Sequence, residues 1–232
     1  MYIKKFSFTY KGNDKPTLRQ VSYKPCMNNI NFIIGSNGSG KSTLIDAITG
    51  NLAPGKFTGD VMPISNKDYI YLSQHLPVLG RLKCKKIVQL ILGNIYPEIN
   101  ISLSSVRKIL DNYSFDFVKD VWDIPYSHLS GGESKFIQLV LFLRSKKNLI
   151  IMDEPSAFLD RQNVEYLFDY IQSQVNKTYI IITHDVRDIK FVANSYITLM
   201  EKGTIKFSDS NDNLKKEFGD STDNFLNKFV KY

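Results

Sequence analysis

The stretch Leu129-Ser130-Gly131-Gly132-Glu133 stands between the two halves of a phosphate-binding pattern. Upstream lies GSNGSGKST, Gly35 to Thr43, which fits G-x-x-x-x-G-K-[ST]. Downstream lies LIIMDEP, Leu149 to Pro155, an apolar run that ends in the carboxylates Asp153 and Glu154. The upstream loop alone says only that phosphate binds. In this order, the three stretches point to one architecture, in which buried strands deliver loops to a nucleotide.

The chemistry explains the residue types. A triphosphate is a dense anion, and backbone N–H groups at the start of a helix form a cradle for it. Gly35, Gly38 and Gly40 allow tight turns and close approach, with Ser36, Asn37 and Ser39 between them. Lys41 reaches the β- and γ-phosphates, and the Ser42 hydroxyl, followed by Thr43, is placed to bind Mg²⁺. Asp153, at a strand end, suits Mg²⁺ held through water, while Glu154 suits a base that orients or deprotonates the attacking water. A lone Asp-Glu pair is commonly a solvated turn, but here the loop upstream demands an acidic partner. Taken singly, His184 after the strand Tyr179 to Thr183 and Gln74 after Tyr69 to Ser73 are ordinary polar strand ends.

Strand patterns occur at Tyr2 to Tyr10, Leu18 to Lys24, Asn31 to Ile34, Tyr69 to Ser73, Asn148 to Met152 and Thr178 to Thr183. Helical patterns follow Lys41 to about Gly50 and recur at Lys85 to Leu92, Ser104 to Tyr113, Gly132 to about Lys146 and Val164 to Val175. A strand pair around Lys202-Gly203 and two short helices close the chain. Strands alternating with helices predict an α/β fold with a mostly parallel sheet and helices packed on it.

Bulk properties exclude several classes. The chain has 232 residues and 43% hydrophobic content, enough for one domain with a substantial core. No apolar run approaches the roughly 18 to 20 residues that cross a bilayer. The N-terminus enters a strand pattern directly, so a cytosolic chain is expected. Cys26 and Cys84 lie far apart and the three histidines are scattered, which predicts reduced thiols and no His/Cys metal site. The net charge of +7 comes from lysines spread along the chain, so no nucleic-acid partner is expected.

In the order of its motifs the chain resembles the nucleotide-binding subunits of ABC transporters, over nearly its whole length. That family runs phosphate loop, Q-loop, signature, Walker B strand, D-loop and H-loop. Here these correspond to GSNGSGKST, Gln74 in YLSQ, LSGGE, IIMDEP, Asp160 in SAFLD and His184 in ITHD. The resemblance implies a P-loop NTPase core with an N-terminal antiparallel β-subdomain and an inserted helical signature subdomain. Residues 1–232 would be a single nucleotide-binding domain, with the helical part at approximately 75–146.

Roles follow by the same resemblance. Gln74 would sense the γ-phosphate and Mg²⁺, and Ser42, Gln74 and Asp153 would serve the metal. Ser130, Gly131, Gly132 and Glu133 would meet the ATP held by a second subunit, and Asp160 would link the two sites. Glu154 would be the general base, His184 would hold the γ-phosphate, and Tyr10 would stack on adenine. The implied partners are a second cassette, most simply a copy of this chain, and separate transmembrane subunits at the cytoplasmic face of a membrane. A cytosolic ABC ATPase that moves no solute, of the iron–sulfur assembly type, is the competing expectation. A small-molecule P-loop kinase would lack LSGGE.

Three departures stand out. Glu133 replaces the commoner Gln, Lys135-Phe136 stands where Gln-Arg is usual, and Leu141 stands where Arg is frequent. They bear on the dimer face and its regulation rather than on the phosphate loop.

Overall fold

A computed structural model describes residues 1–73, 80, 82–174, 176–219 and 222–230. The chain divides into two compact units, one of Met1–Leu72, Lys147–Pro155 and Ile171–Tyr232, the other of Ser73–Lys146 and Ser156–Tyr170.

The first unit holds two sheets. The strands β1 (Tyr2–Tyr10), β2 (Leu18–Tyr23) and β4 (Gly55–Met62) form an antiparallel sheet in the order β2-β1-β4. The second sheet runs β5 (Tyr69–Leu72), β6 (Leu149–Asp153), β7 (Thr178–Thr183), β3 (Ile30–Ile34), β8 (Ser195–Glu201) and β9 (Thr204–Ser210). Its first five strands are parallel and β9 is antiparallel to β8. All five residues of β3 and all six of β7 are buried, the expected result for interior parallel strands covered on both faces.

Helix α1 (Lys41–Thr49) contributes Leu44, Ile45 and Ile48 to a core shared by both sheets. Phe6, Phe8 and Leu18 enter from the antiparallel sheet, and Ile33, Ile151, Ile180 and Ile182 from the parallel one. Each such side chain, fully buried, contributes roughly 1.5–3 kcal/mol. The phosphate loop is therefore anchored at its helical end by this shared core. Helices α7 (Asn211–Phe218) and α8 (Thr222–Val230) bury Leu214 and Leu226.

The second unit is helical: α2 (Cys84–Ile95), α3 (Leu103–Ile109), α4 (Asn112–Asp120) and α5 (Gly131–Phe142), with the start of α6 (Arg161–Ser173). Ile87, Val88, Leu92, Val106, Phe115, Val118, Phe136, Ile137 and Val140 form its core. No helix among the described residues is long and apolar enough to cross a membrane.

Two elements differ from the sequence reading. The pattern over Ser104 to Tyr113 is two helices, because Leu110 is extended and the Asp111 carboxylate accepts the Ser114 N–H, starting α4 afresh. Strand β4 has no apolar alternation, and all but one of its residues are exposed. Backbone pairing to β1 holds it in place, so no periodic signal marks it.

Candidate nucleotide site

Strand register brings the predicted motifs to one edge. Ile34, the last residue of β3, pairs with Thr183 at the end of β7, and Ile182 pairs with Asp153 at the end of β6. The phosphate loop, the Asp153-Glu154 pair and His184 therefore leave three adjacent strands at the same carboxyl edge. Open parallel sheets bind ligands outside this edge.

The loop itself is held by its lysine. Lys41 Nζ donates to the Gly35 carbonyl at 2.6 Å and to the Ser36 carbonyl at 3.0 Å. Burial pulls the ammonium below the ordinary lysine value, and the nearby Glu154 and Asp153 carboxylates pull it back up. Gly40 precedes α1 at φ 101°, where a Cβ would lie 2.9 Å from Leu18 Cδ2, so the turn into the helix requires glycine. Ser39 and Lys41 are buried, whereas Asn37, Gly38 and Ser42 are exposed. The helix N-terminus, with the Ser42 hydroxyl beside it, thus faces outward with positive polarity.

The carboxylates of Asp153 and Glu154 lie close enough to Lys41, at this end, to act on its charge. Asp153 Oδ2 accepts from the Tyr71 hydroxyl at 3.4 Å. Burial raises the Asp46 carboxyl above its usual range, and the charge of Asp153 raises it further. Burial and the same Asp153 charge push the Tyr71 phenol upward. Ser42 and Asp153 are hard oxygen donors of the kind Mg²⁺ takes, and that ion is usually held by one or two carboxylates plus substrate phosphates. Among the described residues no cluster of three or more His, Cys, Asp or Glu is arranged for a metal.

Glu154 is buried and sits at φ 49°, its N–H donating to the Ile182 carbonyl at 2.8 Å. Its Oε1 accepts the His184 N–H at 3.1 Å and lies 2.7 Å from His184 Nδ1. Thr183 Oγ1 lies 3.5 Å from Glu154 Oε2 and donates to Asp188 Oδ2 at 2.8 Å. The sequence reading did not single out Thr183, Asp188, Tyr71 or Asp46. A Thr-His-Asp run at a strand end followed by a further Asp was the only local hint.

Tyr10 ends β1, with its hydroxyl 2.9 Å from Thr43 Oγ1 and its ring edge-on to Phe8. A depression of about 600 Å³ beside it is lined by Tyr10, Lys11, Asn13, Asp14, Pro54 and Lys56. Gln74 lies outside the described residues.

In the helical unit, Ser130 caps α5. Its Oγ accepts the Glu133 N–H at 3.2 Å, and Glu133 Oε2 accepts the Ser130 N–H at 2.8 Å. This reciprocal cap leaves the Ser130 O–H able to donate outward and exposes Gly131 at the helix start. Asp160 caps α6 in a similar way, accepting the Asn163 N–H at 2.8 Å. Lys135, Phe136 and Leu141, the departures noted above, are all buried in this unit.

Comparisons with known proteins agree with this layout. A family model described as ABC transporter matches residues 18–157. The lipoprotein-releasing system ATP-binding protein LolD of Buchnera aphidicola subsp. Schizaphis graminum is 31% identical over 201 residues, covering 79% of this chain and 86% of LolD. A solved ATP-binding subunit of an ABC transporter matches with TM-score 0.75 at 19% identity, covering 99% of each chain. A dimeric ATP-binding cassette in a post-hydrolysis state with ADP and Pi matches with TM-score 0.68 at 18% identity, covering 90% of this chain and 97% of that one. These two structures share its fold.

Proposed function

Given that this chain belongs to the ABC transporter family and is an ATP-binding, ATP-hydrolysing subunit, we propose that two copies close around ATP and drive an unknown solute or peptide through separate membrane subunits. The observation that carries this reading is the convergence of the phosphate loop, Asp153, Glu154 and His184 at one sheet edge. We read residues 1–232 as one nucleotide-binding domain, with the helical part at approximately 75–146.

The loop Gly35 to Thr43 holds the triphosphate. Lys41 exchanges its two carbonyl partners for β- and γ-phosphate oxygens, and Tyr10 borders the adenine beside the depression described above. Ser42, Asp153 and Gln74 would hold Mg²⁺, which would supply positive charge against the phosphates. Glu154 takes the proton of the attacking water. With Nδ1 turned to Glu154, Nε2 is the His184 nitrogen we assign to the γ-phosphate.

Ser130, Gly131, Gly132 and Glu133 present the start of α5 to the γ-phosphate of the partner copy. A helix N-terminus with an outward hydroxyl suits that anion. Asp160 connects the two sites across the dimer. The similarity to a dimeric cassette and to a lipoprotein-releasing ATP-binding protein supports a membrane-associated dimer at the cytoplasmic face.

Tagging the protein, solubilising its native membranes gently with ATP present and identifying what co-purifies tests this reading. Recovery with a stoichiometric multi-span membrane protein supports it. Recovery only from the soluble fraction, with soluble partners, overturns the transport role.

A further inference from the structure

Asp188 is 2% exposed, yet the chemistry above gives it no part. It lies in the 3₁₀ turn Val186–Phe191 that follows β7. Its Oδ2 accepts the Thr183 hydroxyl at 2.8 Å, and the same Thr183 Oγ1 accepts the Asp185 N–H at 2.9 Å. One hydroxyl therefore pins the residues on both sides of His184. The clamp fixes the turn in the orientation that aims both the His184 N–H and Nδ1 at Glu154 Oε1.

The hydroxyl has a single proton and two carboxylates near it. Asp188 Oδ2 is at 2.8 Å and Glu154 Oε2 at 3.5 Å, the latter at the outer limit of a hydrogen bond. The shorter contact takes the proton. Without Asp188 the same hydroxyl would turn to Glu154 Oε2 and occupy the oxygen that His184 leaves alone.

We propose that Asp188 is a positioning residue for ATP hydrolysis: through Thr183 it fixes the turn carrying His184 and keeps the Thr183 hydroxyl off Glu154. The inference rests on the reading of Glu154 as the base and His184 as its partner. A buried carboxylate that merely satisfies a turn would affect folding alone.

The test measures steady-state ATPase turnover, fluorescent-ATP affinity and melting temperature on the full chain. Asp188→Ala and Thr183→Val should each lower kcat about ten- to a hundredfold, as small misplacements in a site do. ATP affinity should change far less than turnover, by no more than about threefold, because Lys41 and the loop Gly35 to Thr43 stay in place and only the aim of His184 is loosened. Asp188→Asn keeps an acceptor and Thr183→Ser keeps the hydroxyl, so both should retain most of the turnover. The double variant Thr183→Val/Asp188→Ala should be no slower than the slower single, since the two act as one unit.

Near-normal turnover in Asp188→Ala, or losses that multiply in the double variant, would overturn the inference. A loss in Asp188→Asn as deep as in Asp188→Ala would also do so, because charge rather than position would then be acting. If Asp188→Ala fails to fold, the Thr183→Val and Thr183→Ser pair decides in the same way. Glu154→Gln is the control: if it keeps its turnover, the underlying reading fails, whatever the Asp188 variants do.

Discussion

His184 grips Glu154 by two atoms, its backbone N–H at 3.1 Å and its Nδ1 at 2.7 Å, both on the single carboxylate oxygen Oε1. Two donors on one oxygen lock the carboxylate plane. Glu154 needs that lock, since a left-handed backbone such as its φ of 49° costs a non-glycine residue on the order of 1 kcal/mol or more. The conformation persists because the Glu154 N–H is tied to Ile182 and the side chain to His184.

Replacing Glu154 with Gln should therefore preserve the fold and ATP binding, because the amide oxygen still accepts the His184 N–H. Proton abstraction is lost, and turnover should fall by about 10² or more. The variant should accumulate as an ATP-bound dimer on size-exclusion chromatography. A variant that keeps most of its turnover would remove Glu154 from the role of base.

Lys41→Ala should act on binding instead. The ammonium bridges the Gly35 and Ser36 carbonyls in the loop and is the group proposed to exchange them for phosphate. We expect ATP affinity to drop at least about tenfold, the loss of roughly one charge-assisted contact of 1.5–3 kcal/mol. Unchanged affinity in a fluorescent-nucleotide titration would contradict the phosphate-loop assignment.

The helical unit has its own electrostatic lock. Arg144, buried, donates to Asp111 Oδ2 at 2.5 Å, Ser114 Oγ at 3.1 Å and the Tyr166 hydroxyl at 3.2 Å, and its guanidinium covers the Tyr170 ring at 4.2 Å. Burial works to raise the Asp111 carboxyl, but the Ser114 N–H, the Tyr166 and Ser114 hydroxyls and Arg144 outweigh it, bringing it down from 3.8 to about 2. A depressed carboxyl stabilises the fold above its unfolded value, and that stability is lost as pH falls from 3.8 toward about 2. Asp111→Asn should flatten the pH dependence of urea denaturation within that window. Arg144→Ala should cost about 1–3 kcal/mol at neutral pH, the range for losing charged hydrogen bonds, because the Asp111 carboxylate left behind is 41% exposed.

Ser130→Ala removes one half of the reciprocal cap on α5 and should cost about 1 kcal/mol in stability. Turnover should fall further than stability explains, since the outward hydroxyl goes with it. Glu133→Gln keeps the acceptor for the Ser130 N–H while removing a negative charge beside the start of α5. ATP-dependent dimerisation should strengthen in this variant; analytical ultracentrifugation with and without ATP reads the difference.

Phe158 is 72% exposed at φ 69°, and its carbonyl lies 2.7 Å from where a Gly132 Cβ would sit. If two copies close as proposed, this exposed aromatic beside Gly132 would be covered. Phe158→Gly relieves the left-handed backbone and raises unfolded-state entropy, so stability should change by less than about 1 kcal/mol. Dimer formation with ATP should weaken; a dimer of unchanged affinity would show that the ring takes no part in closure.

Much of this protein was legible without coordinates because the informative signals are local. The apolar runs Phe32 to Ile34, Leu149 to Met152 and Tyr179 to Ile182 mark buried parallel strands, and the glycine-lysine loop marks a helix start, each within fewer than ten residues. Strand β4 escaped because it is held by backbone pairing, which leaves no side-chain period. The split at Leu110-Asp111 escaped because a cap depends on backbone angle, whereas the apolar spacing runs on through it.

The order of the motifs along the chain was set by the sequence alone, and it sufficed to identify the family. Only the tertiary structure decided which atoms meet: Glu154 with His184 across 30 residues, Asp111 with Arg144 across 33, and Thr183 with Asp188 rather than with Glu154. The reason is physical. Periodicity and turn chemistry act between near neighbours, whereas the partner of a buried polar atom depends on strand order and register, which bring distant segments within 3 Å only once the core has closed.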